Sequence, residues 1–351
     1  MDFALSGDQE ALRDLARKIL VNTCTPAFVR ETTTSPSGTS LTLWKALAKA
    51  GLVGIHLPES VGGGGYGWME AAIVLSEIGR IAAPLPALAI MALAAPALID
   101  HPTMLDGVSS GDTIITAAVH EATGSPWEPA ATVVDGRLSG TKVCVPHGTL
   151  ATRFVVTAAD GLYVVEASAP GVTVERQATT SGVPDALVHF DRTEATRVGG
   201  SDAVHALLRR GQSAACVMIA SSCEAVLTMT SEYVRGRTQF DRPIASFQAV
   251  SQRAGDAYID TEAIRLTAWQ AAWLLDSGRP CDKELLTAKF WAAEGGWRVV
   301  HAAQHLHGGV GVDRDYPLLQ HFLNHKQLEL QIGSATPSLL RLGKLLADSP
   351  I

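Results

Sequence analysis

The chain is poor in the features that build most specialised surfaces. Only 18% of its 351 residues are charged, the net charge is −7, and no basic run occurs. Phosphate backbones are held by clustered Lys and Arg, so no nucleic-acid partner is expected. Cysteine is sparse: Cys24, Cys144, Cys216, Cys223 and Cys281 form no Cys-x-x-Cys pair, and their number is odd. That spacing argues against a disulfide framework or a zinc site and leaves reduced thiols, hence a cytoplasmic setting, as the expectation. Cys216 and Cys223 lie seven apart on an expected helix, which reads as core packing. Long apolar runs are missing too. The most apolar stretch, Leu85–Leu98, is short for a membrane span and is broken by Pro86 and Pro96, so no span is expected. The opening MDFALSGDQEALRDLARKIL is amphipathic rather than a basic region followed by an apolar one, so a signal peptide is not expected either.

What is present is apolar periodicity over a length that suits two or three domains. Apolar residues reach 47%, which fits a chain that buries surface in an oligomer. Leu5, Leu12, Leu15, Ala16 and Ile19 line a helical face, and a second helix near Leu43–Ala50 ends at Gly51. The four glycines Gly62–Gly65 lack the Lys-Ser/Thr and the preceding strand of a phosphate loop, so that reading is rejected. From about Asp112 to Asp191 short Val/Ile/Thr/Phe runs alternate with turn signals such as Asp135-Gly136 and Asp160-Gly161, predicting a small antiparallel β domain. Helical spacing then returns over roughly His205–Arg235, Phe247–Ser277, Asp282–His307, Tyr316–Leu328 and Pro337–Ala347, which predicts a bundle. The expected class is α+β, with a helical N-terminal domain over 1–108, a β-barrel-like middle domain over 109–200 and a four-helix-bundle domain over 201–351.

Two segments carry chemistry. In SEYVRGRTQFDRPIASFQAVSQR, residues 231–253, Arg237 and Phe240 sit three apart, as if sharing a helix face, and Gln248 follows at the opening of the next helix. A permanent cation, an aromatic face and an amide suit a nucleotide diphosphate. A helix hairpin with a solvated arginine is the plain alternative. In HLHGGVGVDRDYPL, residues 305–318, His305, Gly308 and Gly309 follow a helix, and glycine lets backbone approach a ligand closely. A helix cap with a turn is the alternative there.

Together with Trp44, Gly51-Leu52-x-Gly54, Pro58-Glu59 and the Glu77–Arg80 helix end, these motifs make the chain resemble the acyl-CoA dehydrogenase family. The resemblance runs from the start to about residue 347 and is strongest over 44–80 and 231–317. It implies that Arg237, Phe240, Gln248, His305, Gly308 and Gly309 hold the adenine and pyrophosphate half of an FAD that belongs mainly to a neighbouring subunit. His305 departs from the family's usual glutamine. The resemblance also implies an acyl-CoA substrate, a base that removes its α-proton and an electron-transfer acceptor.

That base is missing at both places where the family keeps its glutamate. One position reads Ile332-Gly333-Ser334, and the other reads Gly211, followed by Gln212. The flavin-ring loop reads Val119-His120-Glu121-Ala122-Thr123-Gly124-Ser125-Pro126, and the ring-packing strand reads Cys144-Val145-Pro146-His147-Gly148. No catalytic residue is therefore assigned. Within the resembled family, α2β2 enzymes of actinobacterial steroid breakdown combine a base-lacking chain with a catalytic sister. The expectation is such a heterotetramer, acting on a steroid side-chain or ring-fragment CoA thioester. The alternatives are a homotetramer using Glu121 or Glu329 as an unusual base, with Asp313 and Asp315 read as surface acids, and a scaffold that binds no flavin.

Overall fold

Helices open the chain in the computed structural model, which describes residues 3–348. They are α1 (Gly7–Thr23), α2 (Pro26–Thr34), α3 (Leu41–Lys49) and α4 (Trp68–Arg80). Strands β1 (Ile115–Ala118), β2 (Thr132–Val134), β3 (Arg137–Pro146) and β4 (Arg153–Ala158) come next. They are followed by β5 (Gly161–Glu166), β6 (Val172–Gln177), β7 (Asp185–Glu194) and β8 (Thr196–Gly199). The long helix α5 (Ser201–Gly236) leads into a hairpin of β9 (Thr238–Gln239) and β10 (Arg242–Pro243). Five helices close the chain: α6 (Gln248–Asp276), α7 (Asp282–Phe290), α8 (Gly296–His307), α9 (Pro317–Leu330) and α10 (Ala335–Asp348). This is the expected α+β order of helices, sheets and helices. The backbone falls into two compact units that interleave along the sequence. One holds residues up to Glu31, Ala72–Ala83 and everything from Gln212 onward; the other holds Thr32–Ala71 and Pro84–Gly211.

In the second unit two four-stranded sheets enclose one core, in the orders β1-β4-β5-β8 and β2-β3-β7-β6. Leu138, Val145, Val156 and Val188 are buried there, and Phe154 meets Phe190 edge to face at 6.1 Å. Asp135 and Gly136 turn between β2 and β3 at φ +49° and +69°, the type I′ geometry that Asp-Gly favours. One pairing departs from the antiparallel expectation: β1 lies parallel to β4. The chain between them places β2 and β3 in the other sheet, so β4 returns in the direction of β1. The strands β2, β6 and β8 escaped the sequence reading because none of them carries a fully buried residue. The apolar run Leu88–Ala94 is a π-helix in which every residue is buried, so its lack of polarity reflects a core position.

The first unit is built around α5. Glu77 on α4 is 2% exposed, and Arg17 on α1 grips it through two hydrogen bonds of 2.9 and 2.8 Å. Arg80 bridges Glu77 to Glu224 on α5. At Gly79 the two backbones come so close that a Cβ would lie 2.4 Å from the Met218 carbonyl oxygen. Cys216 and Cys223 are fully buried on α5, in keeping with packing rather than chemistry. This helix is long and apolar enough to cross a membrane, yet 72% of its apolar window is buried inside the molecule. A π-turn, Trp291–Gly295, carries α7 into α8.

Candidate functional site

All six expected nucleotide-contacting residues fall in the first unit, at the ends of α5 and α8 and the start of α6. The local structure differs from the sequence expectation in one respect. Arg237 and Phe240 do not share a helix face, because α5 ends at Gly236 and the chain turns into the β9–β10 hairpin. Arg242 pairs with Gln239 across a two-residue turn in which Phe240 and Asp241 take φ +51° and +61°. A side chain at such a tip faces outward, and Phe240 is 86% exposed. The hairpin is pinned to the next helix by aromatic contacts. Phe240 meets Phe247 edge to face at 6.1 Å, and the Arg242 guanidinium lies 4.1 Å from the centre of the Phe247 ring. Phe247 is the N-cap of α6 and offers no side-chain hydrogen bond, so the first N–H groups of a 29-residue helix lack a side-chain cap. Gln248 begins that helix and is exposed.

A second link ties the hairpin to the glycine turn. The Arg237 N–H donates to the Tyr233 carbonyl at 2.9 Å, and the Tyr233 ring stacks on His307 at 4.3 Å. The Tyr233 hydroxyl donates to the His307 carbonyl at 3.3 Å. His307 donates from Nδ1 to the Ala303 carbonyl at 2.8 Å, which leaves Nε2 to accept from the Tyr316 hydroxyl at 3.1 Å. Burial, partly opposed by the Ala303 hydrogen bond, lowers the His307 pKa and favours this neutral form. His307 therefore packs and holds the turn. Gly308 follows at φ +61° and ψ −137°, a backbone state that side chains rarely adopt, and its N–H caps α8 on the Gln304 and His305 carbonyls. A Cβ at Gly308 or Gly309 would meet nothing within 4 Å, so this backbone is open. The side chains of Arg237, Gln248 and His305 are exposed and have no partner among the described residues. A cation, an aromatic face, an amide and bare backbone thus stand uncommitted, which fits an extended nucleotide. The motif match passes over Tyr233. Helical spacing places it one turn before Arg237, and that signal alone could have found it.

The positions where an acid was sought are packed shut. Ile332 is wholly buried at φ +56°, and Gln212, 2% exposed, donates from Nε2 to its carbonyl at 3.1 Å. Gly211, the other base position, is buried on α5 and brings no side chain, so neither position offers an acid. The remaining acids are engaged. Glu329 pairs with Lys326 at 2.7 Å and lies 3.8 Å from His325. Asp315 pairs with Arg30, and Asp313 accepts from the Asp315 N–H. Glu121 takes the fully buried Lys142 ammonium at 2.6 Å and the N–H groups of Ala130 and Ala131. Burial alone would raise the Glu121 pKa, but Lys142 and the two N–H groups outweigh it and hold the carboxyl below its ordinary value. A general base near neutrality needs the opposite shift.

The strand end Cys144–Gly148 is likewise structural. The Pro146 carbonyl accepts from the Thr116 hydroxyl at 2.6 Å. His147 is turned inward onto Thr39 at 2.9 Å, and burial pushes its pKa down to about 4 despite a Leu85 backbone hydrogen bond.

Comparison with known proteins gives a consistent result. The acyl-CoA dehydrogenase N-terminal domain model matches residues 6–104, and the acyl-CoA dehydrogenase C-terminal domain model matches residues 199–336. Acyl-CoA dehydrogenase FadE27 of Mycobacterium tuberculosis is 38% identical, with all of both chains covered. FadE28 of the same organism is 30% identical over 98% of each chain. Among solved structures, the ChsE4-ChsE5 complex from Mycobacterium tuberculosis matches at a TM-score of 0.94 and 38% identity, covering 100% of both chains. The Tcur3481-Tcur3483 steroid ACAD G363A variant matches at 0.92 and 38%, covering 97% of this chain and 98% of that one. Butyryl-CoA dehydrogenase from Megasphaera elsdenii, at 21% identity and a TM-score of 0.88, shares the fold over 99% of this chain and all of that one.

Proposed function

We propose that this chain, which belongs to the acyl-CoA dehydrogenase family, completes the FAD site of a catalytic sister subunit and holds no α-proton base of its own. The observation that carries this reading is that both base positions are buried and hold no group that can take up a proton, Ile332 at one and Gly211, followed by Gln212, at the other. The uncommitted half-site carries the other part. Arg237 would meet the pyrophosphate, Phe240 and Gln248 the nucleotide end, and the open backbone at Gly308 and Gly309 would allow close approach. The Tyr233–His307–Tyr316 contacts hold that turn against the end of α5. When bound, FAD supplies the hydride acceptor for α,β-desaturation of an acyl thioester. This chain supplies charge neutralisation and a stacking face, and the sister supplies the base. Likeness to the ChsE4-ChsE5 complex and to a steroid ACAD supports a heteromeric α2β2 assembly and a steroid-derived acyl-CoA. Electrons would leave through a separate acceptor.

The test is to purify the chain alone and with candidate sisters, then compare solution mass, visible spectrum and turnover. A colourless chain that gains one flavin per heterodimer on co-expression fits the proposal. A yellow homotetramer that oxidises an acyl-CoA unaided rules it out. A complex that prefers short straight-chain acyl-CoAs removes the steroid assignment alone.

A further inference from the structure

A partly buried positive charge lies outside the half-site. Arg210 stands on α5, and its Nε is sealed from solvent with no hydrogen-bond partner. No carboxylate among the described residues lies within ion-pair range of it. Near it is His56, both of whose ring nitrogens are equally sealed and unpartnered. The Trp68 indole and the His56 imidazole meet in a T at 6.0 Å and 82°. The Met91 backbone, in the buried π-helix, comes near His56 without completing a well-formed hydrogen bond. All four residues belong to one unit of the fold.

Burial draws Arg210 down to about 10, and burial with the Arg210 charge holds His56 near 4. At neutral pH the cluster is therefore one fixed cation beside one neutral imidazole. Buried charges in folded proteins are normally paired, and buried polar nitrogens are normally hydrogen-bonded. Three sealed nitrogens without partners in one cluster point to a missing acceptor. The π-helix alongside is a further pointer, since such turns concentrate at functional sites.

We propose that Arg210 and His56 form a binding site for an organic carboxylate. A guanidinium fork matches a carboxylate in two parallel hydrogen bonds. A single net positive charge suits a monoanion, and the Trp68 indole and the apolar π-helix suit a hydrocarbon tail better than a phosphate. The site is separate from the nucleotide half-site and does not depend on the function proposed above.

The test is calorimetric titration of the full chain, as purified, with hexanoate, with hexanamide as its uncharged counterpart, and with inorganic phosphate. Hexanoate should bind saturably and hexanamide should not. Arg210→Gln should weaken hexanoate about tenfold to a hundredfold, the loss of a charge-assisted contact. Arg210→Lys, which keeps the charge, guards against a folding defect and should retain part of the affinity. The proposal is overturned if wild type gives no hexanoate binding, if hexanamide or phosphate binds as well, or if Arg210→Gln binds hexanoate unchanged.

Discussion

Replacing Lys289 with methionine should lower the stability of the chain relative to wild type progressively as pH rises. The Lys289 ammonium is fully buried and donates to the carbonyls of Leu328 and Glu329, at 3.0 Å each, where α9 ends. Burial pushes its pKa from 10.5 down to about 8, with Cys216 and Glu329 pulling the other way. The folded value lies below the unfolded one, so between those two pH values the unfolded chain binds more protons and wild-type stability rises with pH. Below pH 8 both states are protonated, and the cost of the buried charge is present in full. At about 1.4 kcal/mol per pKa unit, relieving that charge is worth about 3 kcal/mol. Methionine has no proton to lose and lacks this slope, while stranding the two carbonyls costs it about 1–3 kcal/mol at every pH. The stability of wild type minus that of Lys289→Met should therefore rise by about 3 kcal/mol between pH 7 and pH 10.5. Urea unfolding followed by far-UV circular dichroism at pH 7, 8.5 and 10 measures it. Cys216 and His325 feel the Lys289 charge, but burial holds them at about 12 and about 3, outside this range, and the groups that do not meet Lys289 cancel in the difference. A gap that stays constant across this range refutes the buried-charge reasoning.

Other outcomes follow from the same structure. Glu121→Gln removes the counter-charge of the fully buried Lys142, so chemical unfolding should show a loss on the order of 3 kcal/mol. Turnover of the assembled enzyme should survive, and a loss of turnover with intact stability would make Glu121 a catalytic base after all. His147 and His321 are neutral when folded, with pKa values pushed down to about 4 by burial. Stability should therefore fall as pH drops from about 6.5 toward 4, where the unfolded chain takes up protons first. Thermal melts across that range should show a shallower fall for His321→Gln. Gly308→Val meets no neighbour but forces a side chain into φ +61°, ψ −137°. It should cost about 1–3 kcal/mol and lower flavin retention in the complex, read by absorbance after gel filtration.

Much of this molecule was legible because its periodicities are long. The helical spacing over α5 to α10 leaves little freedom, and the structure keeps those helices within a few residues of their expected ends. The Asp135-Gly136 turn was legible because its residue types demand one geometry. Strands β2, β6 and β8 were hidden because they lack a buried face to impose alternation. The β9–β10 hairpin was hidden for another reason: Phe240 and Asp241 adopt left-handed backbone without the glycine that normally signals it. At the half-site, the residue types were readable but not what holds them. The stacking of Tyr233 on His307 joins helices about seventy positions apart, and no local pattern encodes such a contact. The hydrogen bond from Gln212 to Ile332 was equally unreadable, although Ile332 stands at one empty base position and Gln212 directly after the other, Gly211.

The account rests on Arg237 serving a flavin bound mainly by a sister chain. The most direct measurement is the flavin-to-protein ratio of the co-expressed complex with Arg237→Ala carried by this chain alone. A charge-assisted contact of about 1.5–3 kcal/mol should be lost, and the complex should assemble at its normal mass but pale, regaining colour only in excess FAD. A complex that keeps its full flavin with Arg237→Ala would contradict the half-site and leave this chain a scaffold.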